Sequence, residues 1–271
     1  MCYSKEVQLT TGSIILAFCL FYYTYFSSKY KTETKAWLLP FLKNIIFAFV
    51  MIGTHQVFEF LTLVTNSQII YKTGLVISIS SMYFLLRSLE IILNRDLKSK
   101  IALWFVVIVA IDAVFKKLTF NPYGAFVKHN TAWVWSFFWM LLFIYFHICA
   151  ITGRKFLKDE TSKKAIIIYL LATIDLCFLL SIVYTIFSTW YFSTNVCVAL
   201  PSIWCTFSVA QIFVLPVFLS AVPKILDRPK EMTFQTLKET VTYFIISLVI
   251  LGFFVSQLSF FKCMTLKFVF P

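Results

Sequence analysis

The chain has 271 residues, of which 60% are hydrophobic and 13% are charged, and its formal net charge is +12. An ordinary soluble domain is about half apolar and carries about twice that share of charge. This much apolar surface, including 32 Phe residues, therefore excludes a single soluble core. The Lys and Arg residues lie between apolar runs and not in one patch, so the predicted partner of the basic charge is the lipid bilayer and not nucleic acid.

Apolar runs recur along the whole chain and predict an all-α, polytopic transmembrane helix bundle, a single integral membrane domain over 1–271. A helix needs about 20 apolar residues to cross a bilayer. The predicted spans are 9–26, 36–64, 69–93, 101–118, 131–151, 165–190, 201–222 and 240–261. Only a short turn separates spans two and three, which predicts an antiparallel hairpin. The alternative is seven spans, with the first or the last run lying differently.

Two features of composition predict how the helices pack. Only six Gly residues are present, so bulky apolar side chains are expected to be the main packing device, and close glycine contacts are not. Trp133, Trp135 and Trp139 near the start of span five are typical of an aromatic belt at a membrane interface.

Basic residues alternate between the two sides of the predicted bundle. The loops after spans one, three, five and seven hold three, three, five and four Lys and Arg residues, fifteen in all. The loops and ends of the other side hold Lys5, Lys128, Lys262 and Lys267, with Lys72, Lys116 and Lys117 at helix edges. Because cytoplasmic loops carry an excess of Lys and Arg, the basic loops are predicted to be cytoplasmic and both termini to lie on the non-cytoplasmic side.

Polar side chains within the spans form two layers when depth is estimated at about 1.5 Å per residue. The first layer lies at the midplane and in the outer half of span two. His55 and Glu59 are four residues apart and share one helix face. Ionisable groups at this depth are costly unless paired or hydrated, so the layer is interpreted as a path for a substrate or ion. Its members are His55, Gln56, Glu59, Asp112, Asp175 and Gln211.

The second layer lies toward the predicted cytoplasmic end and comprises Lys43, Arg87, Glu90 and His147. Arg87 and Glu90 are three residues apart and can pair on one face of span three. Lys43 can extend its ammonium group to the lipid headgroups. This layer is interpreted either as an inner gate or as an ion pair that fixes topology.

The N-terminal cysteine suggests a third kind of site. The chain has seven Cys residues and no CxxC spacing, which excludes zinc-ribbon and thioredoxin-type sites. Cys2 is predicted to lie on the same side of the membrane as Glu59. A metal site of Cys2, His55 and Glu59 is therefore a further hypothesis. The sequence does not determine the disulfide state of Cys2, Cys197 and Cys263.

Three short motifs carry a resemblance. The chain begins Met-Cys-Tyr-Ser at 1–4, has Gln-Val-Phe-Glu at 56–59 and has Leu-Glu at 89–90. In these motifs it resembles an uncharacterised family of bacterial multi-span proteins that begin Met-Cys-aromatic-Ser and carry Gln-x-x-Glu in the second span. The chain departs from that pattern at His55 and Phe60, where Gln and Gly are expected. The resemblance implies no activity, but it implies one outer-side site of Cys2, Gln56 and Glu59.

The absence of known catalytic motifs limits the functions that the sequence allows. HExxH, GxSxG and GxGD motifs are absent, which disfavours intramembrane hydrolases. The leading hypothesis is a small transporter or channel-like protein with a proton- or cation-linked polar path. One alternative is an intramembrane enzyme or a metal- or cofactor-binding protein that uses Cys2, His55 and Glu59. The other is a ligand-sensing membrane receptor. The sequence identifies neither the small molecule or ion, nor a cofactor, nor an oligomeric state.

Overall fold

The computed structural model describes residues 5–32, 35–115, 130–157, 160–192 and 203–227, with 229, 238 and 242. Within these residues the chain is all-helical, with seven α-helices and no strand. The helices are α1 (Lys5–Lys29), α2 (Leu38–Thr65), α3 (Gln68–Leu93), α4 (Ile101–Phe115), α5 (Asn130–Arg154), α6 (Thr161–Phe192) and α7 (Ile203–Asp227). The all-α class is confirmed.

Four helices, α1, α2, α3 and α5, are long and apolar enough to cross a membrane, and α4 is a shorter apolar helix. Each of the first seven predicted spans coincides with a helix. The eighth run, at 240–261, lies outside the described residues apart from Thr242. Large apolar side chains on α4 are exposed, among them Trp104 (69%) and Phe115 (81%). Such a surface fits contact with hydrocarbon better than contact with water.

The chain divides into two compact units. The first is Ser4–Leu171, and the second is Ala172–Pro271 with Met1–Tyr3. In the first unit, α1 packs on α2 and α2 packs on α3, while α4 and α5 pack on α3 and on each other. Helix α2 therefore lies between two neighbours, and its buried stripe of Phe and Ile residues forms much of the first unit's core.

The connection between α2 and α3 forms the predicted antiparallel hairpin. Asn66 adopts the left-handed conformation (φ 53°) and its backbone N–H donates to the Thr62 carbonyl at 2.8 Å. Ser67 precedes α3, and its Oγ accepts from the Ile70 N–H at 3.5 Å. An αL residue at the helix end and a Ser at the next N-cap satisfy backbone groups that a helix leaves open. The two-residue connection fixes the register of α3 on α2.

Glycine residues allow α1, α2 and α3 to approach more closely than the low number of glycines in the chain suggests. A Cβ on Gly12 of α1 would lie 2.8 Å from the Gly53 carbonyl oxygen of α2. A Cβ on Gly74 of α3 would lie 3.1 Å from the Phe58 Cβ. A larger residue fits these contacts only if its neighbours move, so glycine permits close approach at these two points, while Phe, Leu and Ile side chains make up most of the buried core. The position of these glycines on the packed helix faces matters more than their number.

The predicted aromatic belt on α5 is corrected at Trp135 and Trp139, while the side chain of Trp133 lies outside the described part of the chain. Trp135 and Trp139 are each 6% exposed and lie inside the first unit, not on its surface. Trp135 donates its Nε1–H to Ser78 Oγ of α3 at 2.8 Å. A buried indole needs an acceptor for its N–H, and a serine on the neighbouring helix supplies it. Trp135 therefore belongs to the interface between α3 and α5.

Candidate functional site

His55 lies buried on the face of α2 that packs against α3. Its side chain is 1% exposed, its Nδ1 is 2.9 Å from the Gly74 carbonyl oxygen, and its Nε2 is 3.3 Å from Glu59 Oε1. A carbonyl oxygen can only accept, so Nδ1 carries a hydrogen and donates it. The predicted placement of His55 and Glu59 on one helix face is confirmed.

The tautomer of His55 determines whether Nε2 can donate a hydrogen bond to Glu59. A neutral His55 that is protonated on Nδ1 presents the lone pair of Nε2 to the Glu59 carboxylate. Two acceptors that face each other repel, so the 3.3 Å contact is favourable only with a further proton. That proton lies either on Nε2, giving an imidazolium and a carboxylate, or on the Glu59 carboxyl. A hydrogen bond between Nε2 and Glu59 therefore requires one proton besides the one on Nδ1.

Trp135 and Ser78 complete the surroundings of His55. The indole and imidazole rings are inclined by 20°, with their centroids 6.4 Å apart. Ser78 accepts from Trp135 and donates its own hydroxyl hydrogen to the Leu75 carbonyl at 2.9 Å. Both the indole and the Ser78 hydroxyl are buried. The two hydrogen bonds through Ser78 therefore fix the indole ring over the imidazole ring. The pair is thereby covered by α5 on this side.

Polar atoms without partners lie beside the pair on α1 and α2. Gln56 is fully buried, and neither its Oε1 nor its Nε2 has a hydrogen-bond partner among the described residues. Gln8 Oε1 and Glu59 Oε2 are buried and unpartnered in the same way. A buried polar atom without a partner costs about 1–3 kcal/mol, and most such atoms in native proteins are bonded. Gln8, Gln56 and Glu59 therefore each carry an unsatisfied polar atom in the interior of the first unit.

The contacts of α1 with α2 place Gln8 at the level of Glu59. Gly12 packs against the turn 53–57, whereas Cys19, further along α1, contacts an earlier turn of α2. The two helices are therefore antiparallel. Gln8 is buried one turn before Gly12, so it lies about 6 Å further toward the C-terminal end of α2. Gln8 and Glu59 thus occupy the same level of the bundle.

Gln56 belongs to this level as well. It is one turn after Gly53, on the stripe of α2 that meets α1, and three residues before Glu59. Residues three apart on a helix are neighbours, with Cβ atoms about 5–6 Å apart. Gln56 therefore lies within one turn of Glu59 along α2, and Gln8 lies at the same level on α1, whereas His55 and Glu59 face α3.

Helix α3 brings two titratable residues to the same level. Tyr71 lies within electrostatic range of Glu59, as the hairpin register requires. Lys72 follows it in the same turn of α3 and is half-buried. Helix α3 therefore brings Tyr71 to the level of Glu59.

Arg87 and Glu90 form the predicted ion pair at the end of α3, with Arg87 Nη1 2.6 Å from Glu90 Oε2. Glu90 is buried and has further donors beyond the helix. Its Oε1 accepts from the backbone N–H groups of Leu97 (3.2 Å) and Ser99 (2.8 Å), and its Oε2 accepts from the Ser99 hydroxyl (2.9 Å). Because α4 begins at Ile101, these contacts tie the end of α3 to the start of α4.

The other two residues of the predicted inner layer have contacts of a different kind. Lys43 Nζ lies 5.2 Å from the centroid of the Tyr23 ring on α1. His147 Nδ1 is 2.8 Å from the Phe143 carbonyl oxygen, one turn earlier in α5, and donates to it. Neither contact joins its residue to the Arg87–Glu90 pair.

The remaining residues of the predicted midplane layer are spread over three helices. Asp112 is half-buried on α4, in the first unit. Asp175 on α6 and Gln211 on α7 belong to the second unit. Asp175 is exposed, whereas Gln211 is buried with its Nε2 3.9 Å from Cys177 Sγ. The structure thus brings together His55, Gln56 and Glu59, while a continuous path through all six residues stays a prediction.

The metal hypothesis stays a prediction as well. Across the part of the chain that the structure describes, no three His, Cys, Asp or Glu side chains are grouped so that they could hold a metal ion. Cys2 lies outside the described residues, as do Cys197 and Cys263. His55 and Glu59 are in contact and could supply two ligands if Cys2 reached them.

Sequence reasoning missed Gln8, Gly74 and Ser78, and it assigned Trp135 to a membrane interface. One signal could have found Gln8. It precedes Gly12 by four residues and Ile15 by seven, which places all three on one stripe of α1. A glutamine on an otherwise apolar packed stripe is a candidate site residue by the argument that singled out Gln56. The sequence around Gly74, Ser78 and Trp135 contains no comparable pattern.

Comparisons with known protein families, curated proteins and solved structures find no match for this chain. The functional argument therefore rests on the site itself.

Proposed function

We propose that this protein is a small transporter or channel-like membrane protein, with a proton- or cation-linked path in which His55 and Glu59 carry the proton. One observation supports this above all. The Gly74 carbonyl fixes the hydrogen of His55 on Nδ1, so the contact between Nε2 and Glu59 needs a second, shared proton. A buried pair that can exchange a proton within apolar helices is the element that proton relays use.

The proposal includes the membrane topology. The chain is an integral, multi-pass protein with eight spans, basic loops in the cytoplasm and both termini on the other side, and a seven-span arrangement is the alternative. Four helices long enough to cross a membrane and the apolar surface of α4 support this topology. The partners are then the lipid bilayer and a small molecule or ion. Asp112, Asp175 and Gln211 extend the path beyond the pair.

The test is proton flux through purified protein in liposomes that contain a pH-sensitive dye. A potassium gradient with valinomycin drives protons inward. We expect flux with the wild type and none above protein-free liposomes with Glu59→Gln or His55→Gln, because either change removes the shared proton. Asp96→Asn is the matched control, since Asp96 is an exposed loop carboxylate paired with Lys98. Absent wild-type flux, or flux that Glu59→Gln leaves unchanged, contradicts the proposal.

A further inference from the structure

The loop between α3 and α4 is held in one conformation by two helices. From α3, the buried Glu90 carboxylate accepts from the backbone N–H groups of Leu97 and Ser99. From α5, the Tyr145 hydroxyl donates to the Leu97 carbonyl oxygen at 2.7 Å. Arg95 lies within this loop, and its own backbone N–H donates to the Glu90 carbonyl at 3.1 Å. The side chain of Arg95 therefore extends from a backbone that is fixed on both sides.

Arg95 stacks on Phe156, which follows the end of α5. The Arg95 Cζ lies 3.8 Å from the centroid of the Phe156 ring, and Phe156 is 59% exposed. The ring covers one face of the guanidinium and leaves the N–H groups at its edge open to a ligand. Among the residues that the structure describes, no carboxylate pairs with Arg95. A positioned guanidinium without an acidic partner is suited to bind a phosphate through two hydrogen bonds.

Two more basic residues without a carboxylate partner lie beside Phe156. Arg154 and Lys155 directly precede it in the chain, and no ion pair within the described ranges includes either of them. The carboxylates of Asp96 and Glu90 are each paired with another basic residue. This end of the first unit therefore keeps an excess of positive charge, which attracts anions.

An exposed apolar stripe on α5 leads toward these basic residues. Its members recur at spacings of four and three residues, as one face of a helix requires. They are Phe137, Leu141, Ile144, Ile148 and Ile151, and together they are called the α5 stripe. At 1.5 Å per residue the stripe is about 21 Å long, whereas the whole hydrocarbon core of a bilayer is about 30 Å thick. A ligand whose phosphate lies at Arg95 can thus place its apolar chains along α5 through one leaflet.

We propose that Arg95, Arg154 and Lys155 bind the phosphate of one anionic phospholipid, whose chains lie along the α5 stripe. The stripe favours a lipid over a free phosphate, because a free phosphate would leave it uncovered. The positive charge favours an anionic lipid, because the choline group of a zwitterionic lipid offsets the charge of its phosphate. The ends of α3 and α5 lie at the level of the headgroups in the predicted topology. The site does not depend on the proton path.

The test counts lipids bound to the detergent-solubilised full-length protein by native mass spectrometry. The probes are dioleoyl phosphatidylglycerol and dioleoyl phosphatidylcholine, which have the same chains and differ in net charge. We expect one phosphatidylglycerol per chain, bound at least about fivefold more tightly than phosphatidylcholine, since one basic residue near anionic headgroups contributes about that factor. Glycerol 3-phosphate at the same concentration should not displace it, because this phosphate has no chains for the α5 stripe.

Three variants assign the site. Arg95→Gln should weaken phosphatidylglycerol binding at least about fivefold and change phosphatidylcholine binding little. Phe156→Leu keeps an apolar side chain but removes the stacking of Arg95, so it should weaken binding about two- to fivefold. Lys31→Gln is the matched control, since Lys31 is an exposed cation beyond the end of α1, at the same end of the first unit. It should bind the lipid as the wild type does.

Three results overturn the proposal. They are equal binding of the two lipids by the wild type, unchanged binding of phosphatidylglycerol by Arg95→Gln, and displacement of that lipid by glycerol 3-phosphate, which would make a water-soluble phosphate the ligand. The melting temperature of each variant shows whether it is folded. If Arg95→Gln does not fold, Phe156→Leu decides, and unchanged binding of phosphatidylglycerol by that variant counts against the site.

Discussion

Gly74 sets the distance between His55 and the backbone of α3. A Cβ at this position would lie 3.1 Å from the Phe58 Cβ and 3.3 Å from His55 Nδ1. Gly→Ala in a helix interior normally stabilises by about 0.5–1 kcal/mol. Crowding a packed contact costs about 1–3 kcal/mol. Gly74→Ala should therefore lose about 1–2 kcal/mol in thermal unfolding and weaken the hydrogen bond that fixes the tautomer of His55.

Gly153→Ala is the matched control for that substitution. Its added Cβ would meet the end of the Leu93 side chain, which can rotate away, whereas the neighbours of Gly74 include the Cβ of Phe58. We expect the smaller loss at Gly153. Equal stability of Gly74→Ala and the wild type would show that α2 and α3 separate freely at this level.

Local spacing explains which site residues the sequence could predict. His55 and Glu59 are one helical turn apart, so their contact follows from helix geometry alone. The contacts of this site with residues of other helices do not follow from local spacing. Trp135 and Ser78 are separated by 57 positions, and Gly74 meets His55 only because a two-residue turn sets the register of the hairpin. Such contacts depend on tertiary packing, which periodicity does not encode.

At the scale of elements, Glu90 joins α3 to α4. Glu90→Gln keeps one acceptor oxygen but loses the charge and part of the acceptance from Ser99 and Leu97. We expect it to lower the free energy of unfolding by about 1–3 kcal/mol, because buried donors are left unsatisfied. Arg87 is 51% exposed, so Arg87→Gln should cost no more than about 1 kcal/mol.

Denaturant unfolding in detergent compares the two variants, and amide exchange at 97–101 shows whether the start of α4 loosens. Faster exchange should occur in Glu90→Gln and not in Arg87→Gln. Equal losses in both variants would mean that the ion pair, and not the backbone amides, provides the stability of this connection.

The positions of the helices were predictable because polar clusters bound the apolar runs. Span three was predicted at 69–93 and α3 is Gln68–Leu93. Span one was predicted at 9–26, whereas α1 is Lys5–Lys29. A helix can extend past the apolar segment into polar residues, since its backbone hydrogen bonds do not depend on side-chain polarity. Hydropathy therefore located the helices, but it did not fix their ends.

At the scale of the whole molecule, the distribution of basic residues predicts the orientation in the membrane. Thr65 and Lys100 lie at opposite ends of α3, and both are exposed. In a background without cysteine, we expect Thr65→Cys to react with a membrane-impermeant maleimide in intact cells. Lys100→Cys should react only after permeabilisation, because the basic loops are predicted to be cytoplasmic. The reverse pattern would contradict the predicted orientation.

The same labelling distinguishes eight spans from seven through Lys267→Cys. If the apolar run at 240–261 crosses the membrane, position 267 lies on the same side as Thr65 and reacts in intact cells. If that run does not cross, position 267 stays on the side of Lys100 and reacts only after permeabilisation. We expect the first result, because the run is long enough for a span and the four basic residues at 223–239 favour a cytoplasmic loop before it. Lys100→Cys in the same membranes verifies that intact cells exclude the reagent.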